Sequence, residues 1–194
     1  QQDAYLEFAN TQLSYEINLN GKFQKINASL AISIVEKITK DKIDNAKIMK
    51  SLQSMNWYGR IQIIKRIPLV IFDVCHNEES ISGFISYISQ LRGVGKKYLI
   101  IALQSRKDID GVVNKLIENF DSITVSSTGI RNSLDVDILK SKFNYKTTVT
   151  ENSLEGAIES FHKYADKTDL LAIIGSHYIG PVISNIYKIN FDNL

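Results

Sequence analysis

The 194-residue sequence holds one cysteine and two prolines. A single cysteine closes no disulfide within the chain, which favours a reducing, cytoplasmic setting. No apolar run approaches the length of a membrane span, and no signal peptide is visible at the N-terminus. Basic residues are scattered and the net charge is only +2, so the chain lacks the electrostatic footprint of a nucleic-acid binder. Its three histidines and its cysteine lie far apart or side by side, never at i, i+4, and so offer no metal-ligand spacing. No Gly-x-x-x-x-Gly-Lys-Ser/Thr occurs, so these residues supply no phosphate-gripping loop of that type. An initiator methionine is missing too, since the chain starts Gln1-Gln2-Asp3, and a fragment of a longer protein is expected.

What is present reads as an ordinary globule, 44% hydrophobic and 23% charged, long enough for one good-sized domain or a domain plus part of another. From Leu69 onward, apolar β-branched runs alternate with amphipathic helical segments. The runs are LVIFDV (69–74), KYLIIAL (97–103), SITVSS (122–127), YKTTVT (145–150) and LLAIIG (170–175). The first, second and fifth are apolar on both faces, as strands covered by helices on both sides should be. Alternation of this kind predicts an α/β fold with a doubly wound, mainly parallel, Rossmann-like sheet. GRIQIIKR (59–66) adds an extended piece leading in to Pro68.

Residues 1–56 read differently. AYLEFA and LSYEINL look extended, and a helix follows from about Phe23 to Thr39, with Ile26, Leu30, Ile34 and Ile38 at helical spacing. DNAKIMKSLQSM reads as a second helix. This block is too small to hold a core of its own comfortably, and its two strands lack a sheet to join. It is expected to be the end of a larger domain, with a second domain over 57–194.

Open α/β sheets bind ligands beyond the carboxyl ends of their strands. Asp73, Cys75, His76 and Asn77 fall at such an end. Asn77 suits an N-cap, and Glu78 and Glu79 suit the positive end of a helix. Asp73 is a carboxylate at the last turn of a buried strand, a costly position unless it is paired or binds something, and Arg60 and Lys65 are available cations. Cys75 reads as a small buried residue rather than a nucleophile, because neighbours at a strand end point opposite ways. The last strand ends in Gly175-Ser176-His177-Tyr178, where Gly175 permits close backbone approach and Ser176 offers a hydroxyl at a helix start; taken alone, Ser176 is an ordinary cap. Asp108 in QSRKDID suits a cap as well. His162 sits mid-helix with no partner pattern and reads as surface.

Five pieces, in order, resemble the folylpolyglutamate synthase/dihydrofolate synthase family of the Mur-type ligase superfamily. GKFQKINASLAISI resembles its Gly-x-His-Gln-x-x-Asn-Ala-x-x-Ala helix, and NWYGRIQII its Trp-Pro-Gly-Arg-Leu-Gln strand. VIFDVCHN is similar to Val-Ile-Leu-Asp-Gly-Ala-His-Asn-Pro, RKDID to Asp-Lys-Asp-Ile, and IIGSHYIGPVI to Thr-Gly-Ser-Leu-Tyr-Leu-Val-Gly. The resemblance runs over nearly the whole chain.

It implies the C-terminal portion of an ATP-dependent amide ligase of folate biosynthesis and one-carbon metabolism. Dihydropteroate or the γ-carboxyl of a folate is phosphorylated by ATP, and the amine of L-glutamate attacks the acyl phosphate. Residues 1–56 would then close a central ATPase domain. The phosphate loop and the Mg2+ ligands would lie in an N-terminal domain that these residues do not contain, so the fragment alone is expected to be inactive. By resemblance, Asn27, Arg60 and Asp73 contact ATP, while His76 and Ser176 face the substrate or glutamate, His76 being the catalytic candidate. By type, Asn27 offers a donor and an acceptor, Arg60 a forked cation for phosphate, and Asp73 an acceptor for ribose or adenine or an anchor for Arg60. The full-length enzyme is expected to be a monomer acting on small molecules, with no nucleic acid or membrane partner. The chain departs from the pattern at Phe23 (for His), Tyr58 (for Pro), Val74-Cys75 (for Gly-Ala) and His177 (for Leu), which weakens any reading of substrate choice. Two alternatives stand: another Mur-type ligase acting on a cell-wall precursor, and a non-catalytic α/β binding module.

Overall fold

A computed structural model describes residues 2–8, 11–39, 44–130, 132–143 and 149–191. Contacts divide the chain into two compact units, Gln1–Trp57 and Tyr58–Leu194.

In the first unit, β1 (Gln2–Phe8) and β2 (Thr11–Ile17) pair with each other as an antiparallel ribbon, Gln2 opposite Ile17 and Phe8 opposite Thr11. Two helices follow, α1 (Lys22–Thr39) and α2 (Asn45–Ser54). Asp44 caps α2 by accepting from the Ala46 N–H at 2.9 Å. Ile17, Ala28, Ile32, Ile48 and Leu52 make a small core, extended by Leu19 and Met55. The repeat visible in the sequence exists on α1 but points elsewhere: Ile26 is 70% exposed, Ile38 74%, and Leu30 and Ile34 are also exposed. A fully buried Ile or Leu contributes about 1.5–3 kcal/mol, so α1 leaves a large part of its apolar stabilisation unused within this unit.

The second unit is a doubly wound α/β domain. Its strands are β3 (Gln62–Arg66), β4 (Leu69–Asp73), β5 (Lys97–Ile101), β6 (Ser122–Val125), β7 (Val149–Glu151) and β8 (Leu170–Ile174). They form one sheet in the order β3-β4-β8-β5-β6-β7. All pairs are parallel except β3–β4, an antiparallel edge with a bulge between Ile63 and Lys65. Part of the extended run foreseen over 145–150 lies outside the described residues. Helices α3 (Glu78–Ile88), α4 (Val113–Asn119), α5 (Val136–Lys142), α6 (Leu154–Tyr164) and α7 (Gly180–Tyr187) follow the strands.

Strand β8 runs between β4 and β5, and all five of its residues are buried, which is why LLAII needs apolar side chains on both faces. On one face, Val70, Phe72, Ile100, Leu171 and Ile173 pack with Leu154, Ala157, Ile158 and Phe161 of α6 and Ile183 of α7. By alternation, Ile71, Leu99, Ile101 and Ile174 face the other way, and they too are buried. The right-handed crossovers through α3 and α4 cover that side. Consequently the chain leaves β4 toward one face, into α3, and leaves β8 toward the other, into α7. The carboxyl ends of these two adjacent strands are therefore the topological switch point, where such sheets bind ligands. Among the described residues, no helix is long and apolar enough to cross a membrane.

Candidate functional site

The end of β4 is built around one carboxylate. Asp73 is 3% exposed, and its two oxygens are divided between two loops. Oδ2 accepts from the Ile61 N–H and Oδ1 from the Cys75 N–H, both at 2.7 Å. One side chain thus ties the segment Gly59-Arg60-Ile61 to the turn that leaves β4. Burial pushes the Asp73 carboxyl above its ordinary value, against the opposing pull of the Ile61 and Cys75 N–H groups and of Arg60. A carboxylate has room for about four acceptor contacts, so each oxygen retains capacity beyond its backbone partner.

The Gly59–Ile61 segment is held from other directions as well. The Val74 N–H donates to the Gly59 carbonyl at 2.9 Å, and the Gly59 N–H donates to Gln62 Oε1 at 2.9 Å. Gly59 has φ +69°, and a Cβ there would stand 2.6 Å from Val74 Cγ1, so glycine is required. Ile61 has φ +45°, an unusual conformation for a β-branched residue, and it is fully buried. Strain of this kind persists only where the surroundings over-determine it. Here the Asp73 bond and complete burial do so, and the half-buried Arg60 is held between two fixed neighbours.

Beyond Asp73, Val74 and Cys75 are buried. Burial, reinforced by the Asp73 charge, pushes the Cys75 thiol well up, so it stays protonated and is no thiolate nucleophile. His76 is half-buried, and its Nδ1 donates to the Val74 carbonyl at 2.8 Å, which in the neutral ring leaves Nε2 as an acceptor. Asn77 is the N-cap of α3: its Oδ1 accepts from the Ser80 N–H at 2.9 Å, while Ser80 Oγ accepts from the N–H groups of His76 and Asn77. This is a capping box with serine at its third position.

At the end of β8, Gly175 has φ +123°, and a Cβ there would stand 2.1 Å from the Ala102 carbonyl oxygen. Its N–H donates to the Asp73 carbonyl at 3.3 Å, which draws the two strand ends together. Ser176 is buried, and its Oγ accepts from the Tyr178 N–H at 3.3 Å, capping a 3-10 turn, His177–Ile179, ahead of α7. His177 is exposed. Its pKa lies below the ordinary value through partial burial and then through the charges of Arg60 and His76. The charges of Arg60 and His76 thus both reach His177.

Four residues singled out in the sequence, Arg60, Asp73, His76 and Ser176, therefore lie in the second unit at the β4 and β8 ends. The fifth, Asn27, lies on α1 in the first unit, exposed, with its Nδ2 donating to Gln24 Oε1 at 3.2 Å. Sequence reasoning missed Gln62 and the place of His177. The recurrence of Gln three positions after Gly59, in GRIQ, was the available signal for the first. His162, read as surface, is part-buried and meets the Tyr187 hydroxyl through Nε2 at 2.8 Å. Asp108, expected as a cap, stands one residue ahead of the N-cap position, which Ile109 fills at the 3-10 turn Asp110–Val112, and its Oδ1 accepts from the Asp110 N–H at 2.9 Å. Among the described residues, no group of three or more His, Cys, Asp or Glu is placed to hold a metal ion.

Comparison with known proteins places this chain in a family. A probable bifunctional folylpolyglutamate synthase/dihydropteroate synthase of Haloferax volcanii is 26% identical over 170 residues, covering 86% of this chain and 20% of that protein. The crystal structure of Mycobacterium tuberculosis folylpolyglutamate synthase complexed with ADP and AMPPCP superposes with a TM-score of 0.79 at 20% identity, over 94% of this chain and 46% of that one. A bifunctional folylpolyglutamate synthase/dihydrofolate synthase with Mn, AMPPNP and L-glutamate bound gives 0.77 at 21% identity, over 93% and 43%. The chain spans between a fifth and a third of the length of the first curated relatives it matches. Residues 59–177, more than half of the chain and the whole of the site from Gly59 to His177, match the family described as Mur ligase, glutamate ligase domain, and to that family the chain belongs.

Proposed function

We propose that this chain is the C-terminal part of an ATP-dependent ligase that adds L-glutamate to dihydropteroate or to a folate through an acyl phosphate. The observation that carries the reading is the Asp73 clamp at the switch point: two 2.7 Å bonds fix the segment that carries Arg60. In this reading Arg60 meets the phosphate charge that builds as the substrate carboxylate attacks ATP and ADP departs. Asp73 positions Arg60, with its spare acceptor capacity available to the nucleotide. Asn27 takes the base or ribose edge. His76 Nε2 accepts a proton from the glutamate amine as that nitrogen attacks the acyl carbon and phosphate leaves, and the Ser176 hydroxyl holds a glutamate carboxylate. A forked cation on a rigid loop suits a nucleotide triphosphate, and relatives of this fold are seen with ADP, AMPPCP, AMPPNP and Mn.

The phosphate loop and the ligands for Mg2+ belong, in this proposal, to an N-terminal domain. Residues 1–56 are then the end of a central ATPase domain, and 57–194 the ligase domain. The partition of contacts after Trp57 and the exposed apolar stripe of α1 support that assignment. The complete enzyme acts in the cytoplasm as a monomer, and the 194-residue chain alone does not turn over, because ATP must be gripped from both sides of a closing cleft. The test is ADP release by the complete protein with L-glutamate and either pteroate or tetrahydrofolate, against muramyl peptide precursors with their amino acids. Release specific to the pterin substrates supports the proposal; release only with muramyl substrates, or turnover by the 194-residue chain, overturns it.

A further inference from the structure

The carboxyl edge of the sheet carries a second concavity, away from the site just described. A cavity of about 380 Å³ opens beyond β6 and β7, lined by Ser126, Ser127, Thr128, Asn152, Ser153 and Glu155 among others. In the strand order, β6 is two positions from β8 and three from β4, roughly 10 and 14 Å at the usual interstrand spacing. The cavity is therefore a separate place.

Its polar groups have an uneven chemistry. Asn152 Oδ1 already accepts from the Ser153 N–H at 2.8 Å, which leaves its amide N–H groups as donors. Ser153 is the N-cap of the 11-residue α6, its Oγ accepting from the Gly156 N–H at 3.1 Å, which leaves its hydroxyl hydrogen. Thr128 Oγ1 accepts from Gln104 Nε2 at 2.9 Å. Ser127 is used in both senses, donating to Ser133 Oγ and accepting from the Gly129 N–H. Ahead of α6 stand the first-turn N–H groups and the positive end of the helix dipole. Ser126 is the anomaly. It is 1% exposed, and its Oγ has no hydrogen-bond partner. A buried hydroxyl left so is destabilising, and its backbone N–H is already used, donating to the Ile101 carbonyl at 2.9 Å.

We propose that this cavity is a second oxyanion site, taking a carboxylate or phosphate group on the Ser126 hydroxyl, the Asn152 amide, the Ser153 hydroxyl and the N-terminal turn of α6. The unused hydrogens here are those of the Ser126 and Ser153 hydroxyls and the Asn152 amide, and an oxyanion is the group that takes donors only. Glu155, exposed at the rim, works against the anion and limits affinity. The inference does not depend on the ligase reading, because its readout is binding by the 194-residue chain.

The test is a titration of that chain with inorganic phosphate and, separately, with L-glutamate, followed by amide NMR, with glycerol as a neutral control. Signals of residues 126–128 and 153–156 are expected to shift together and saturate with at least one anion. Saturation by phosphate alone assigns a phosphate group, by glutamate alone a carboxylate, and by both a general oxyanion site. Ser126→Ala is expected to melt no lower than the parent, since it removes an unsatisfied group, and to weaken binding about 10-fold. Glu155→Gln is expected to tighten it about two- to fivefold. Absence of saturation, equal shifts with glycerol, parent-like binding by Ser126→Ala, or weaker binding by Glu155→Gln would each overturn the proposal.

Discussion

In α6, Leu154, Ala157, Ile158 and Phe161 lie in the core of the second unit with side chains of β4, β5 and β8. In α1, the equally regular series Ile26, Leu30, Ile34 and Ile38 lies exposed, and the buried residues are Gln24, Ala28 and Ile32. An apolar repeat states that a helix has a face to cover; only the rest of the fold states what covers it. The second unit closes on itself, down to a strand buried along its whole length. Among the described residues, the first has a core of five and an exposed apolar stripe of four outside it. On this account stability in the 194-residue chain is concentrated in the second unit, and the α1 stripe is the face that the proposed ATPase domain would cover.

That contrast can be attacked first where the closed unit is tightest. Gly175→Ala sets a Cβ 2.1 Å from a backbone oxygen of the neighbouring strand end, where nothing flexible can give way. A loss of about 3 kcal/mol or more, near 10 °C in Tm, is expected by calorimetry; a parent-like Tm would show that the β8 end is looser than described.

Asp73→Asn comes next, at about 2 kcal/mol, because an amide cannot accept from both the Ile61 and Cys75 N–H groups. Its pH dependence has a definite sign. The folded-state pKa of Asp73 is raised, so the folded chain holds this proton more tightly than the unfolded one. The contribution is full below the ordinary carboxyl range and is lost as pH rises through the folded value. Urea unfolding at a series of pH values should show that slope in the parent and not in Asp73→Asn. An identical slope in both would remove Asp73 from the account.

At the open end of the comparison, Leu30→Lys in the 194-residue chain should change stability by no more than about 0.5 kcal/mol, as an exposed substitution does. A loss of several kcal/mol would mean that α1 is covered after all. Arg60→Ala should leave stability nearly unchanged and move His177 back toward its ordinary titration range, since the Arg60 charge is one of the causes holding it down. Ring-proton NMR reads that shift, and an unmoved His177 would separate the two residues.

Much of the closed unit was legible in the residues. LVIFD and LLAII are apolar on both faces because helices cover both sides, and Asn77 announced its cap by type and position. Asp73 was recognisable as an anomaly, a carboxylate ending a buried strand. Its use was less visible, because the Ile61 N–H that it holds is twelve positions away and strained. His162 concealed its partner for the same reason, Tyr187 being 25 residues on. The exposed stripe of α1 could not be told from a buried one by spacing. Nothing in SITVSS distinguished Ser126, whose lack of a partner is a property of packing alone.

The claim that Arg60, held by Asp73, meets the phosphate charge has one direct measurement: glutamate-dependent ADP release by the complete protein and its Arg60→Ala variant. In the variant, kcat/KM is expected to fall on the order of 100-fold or more, with the melting temperature unchanged. Parent-level release from a folded Arg60→Ala protein would contradict it.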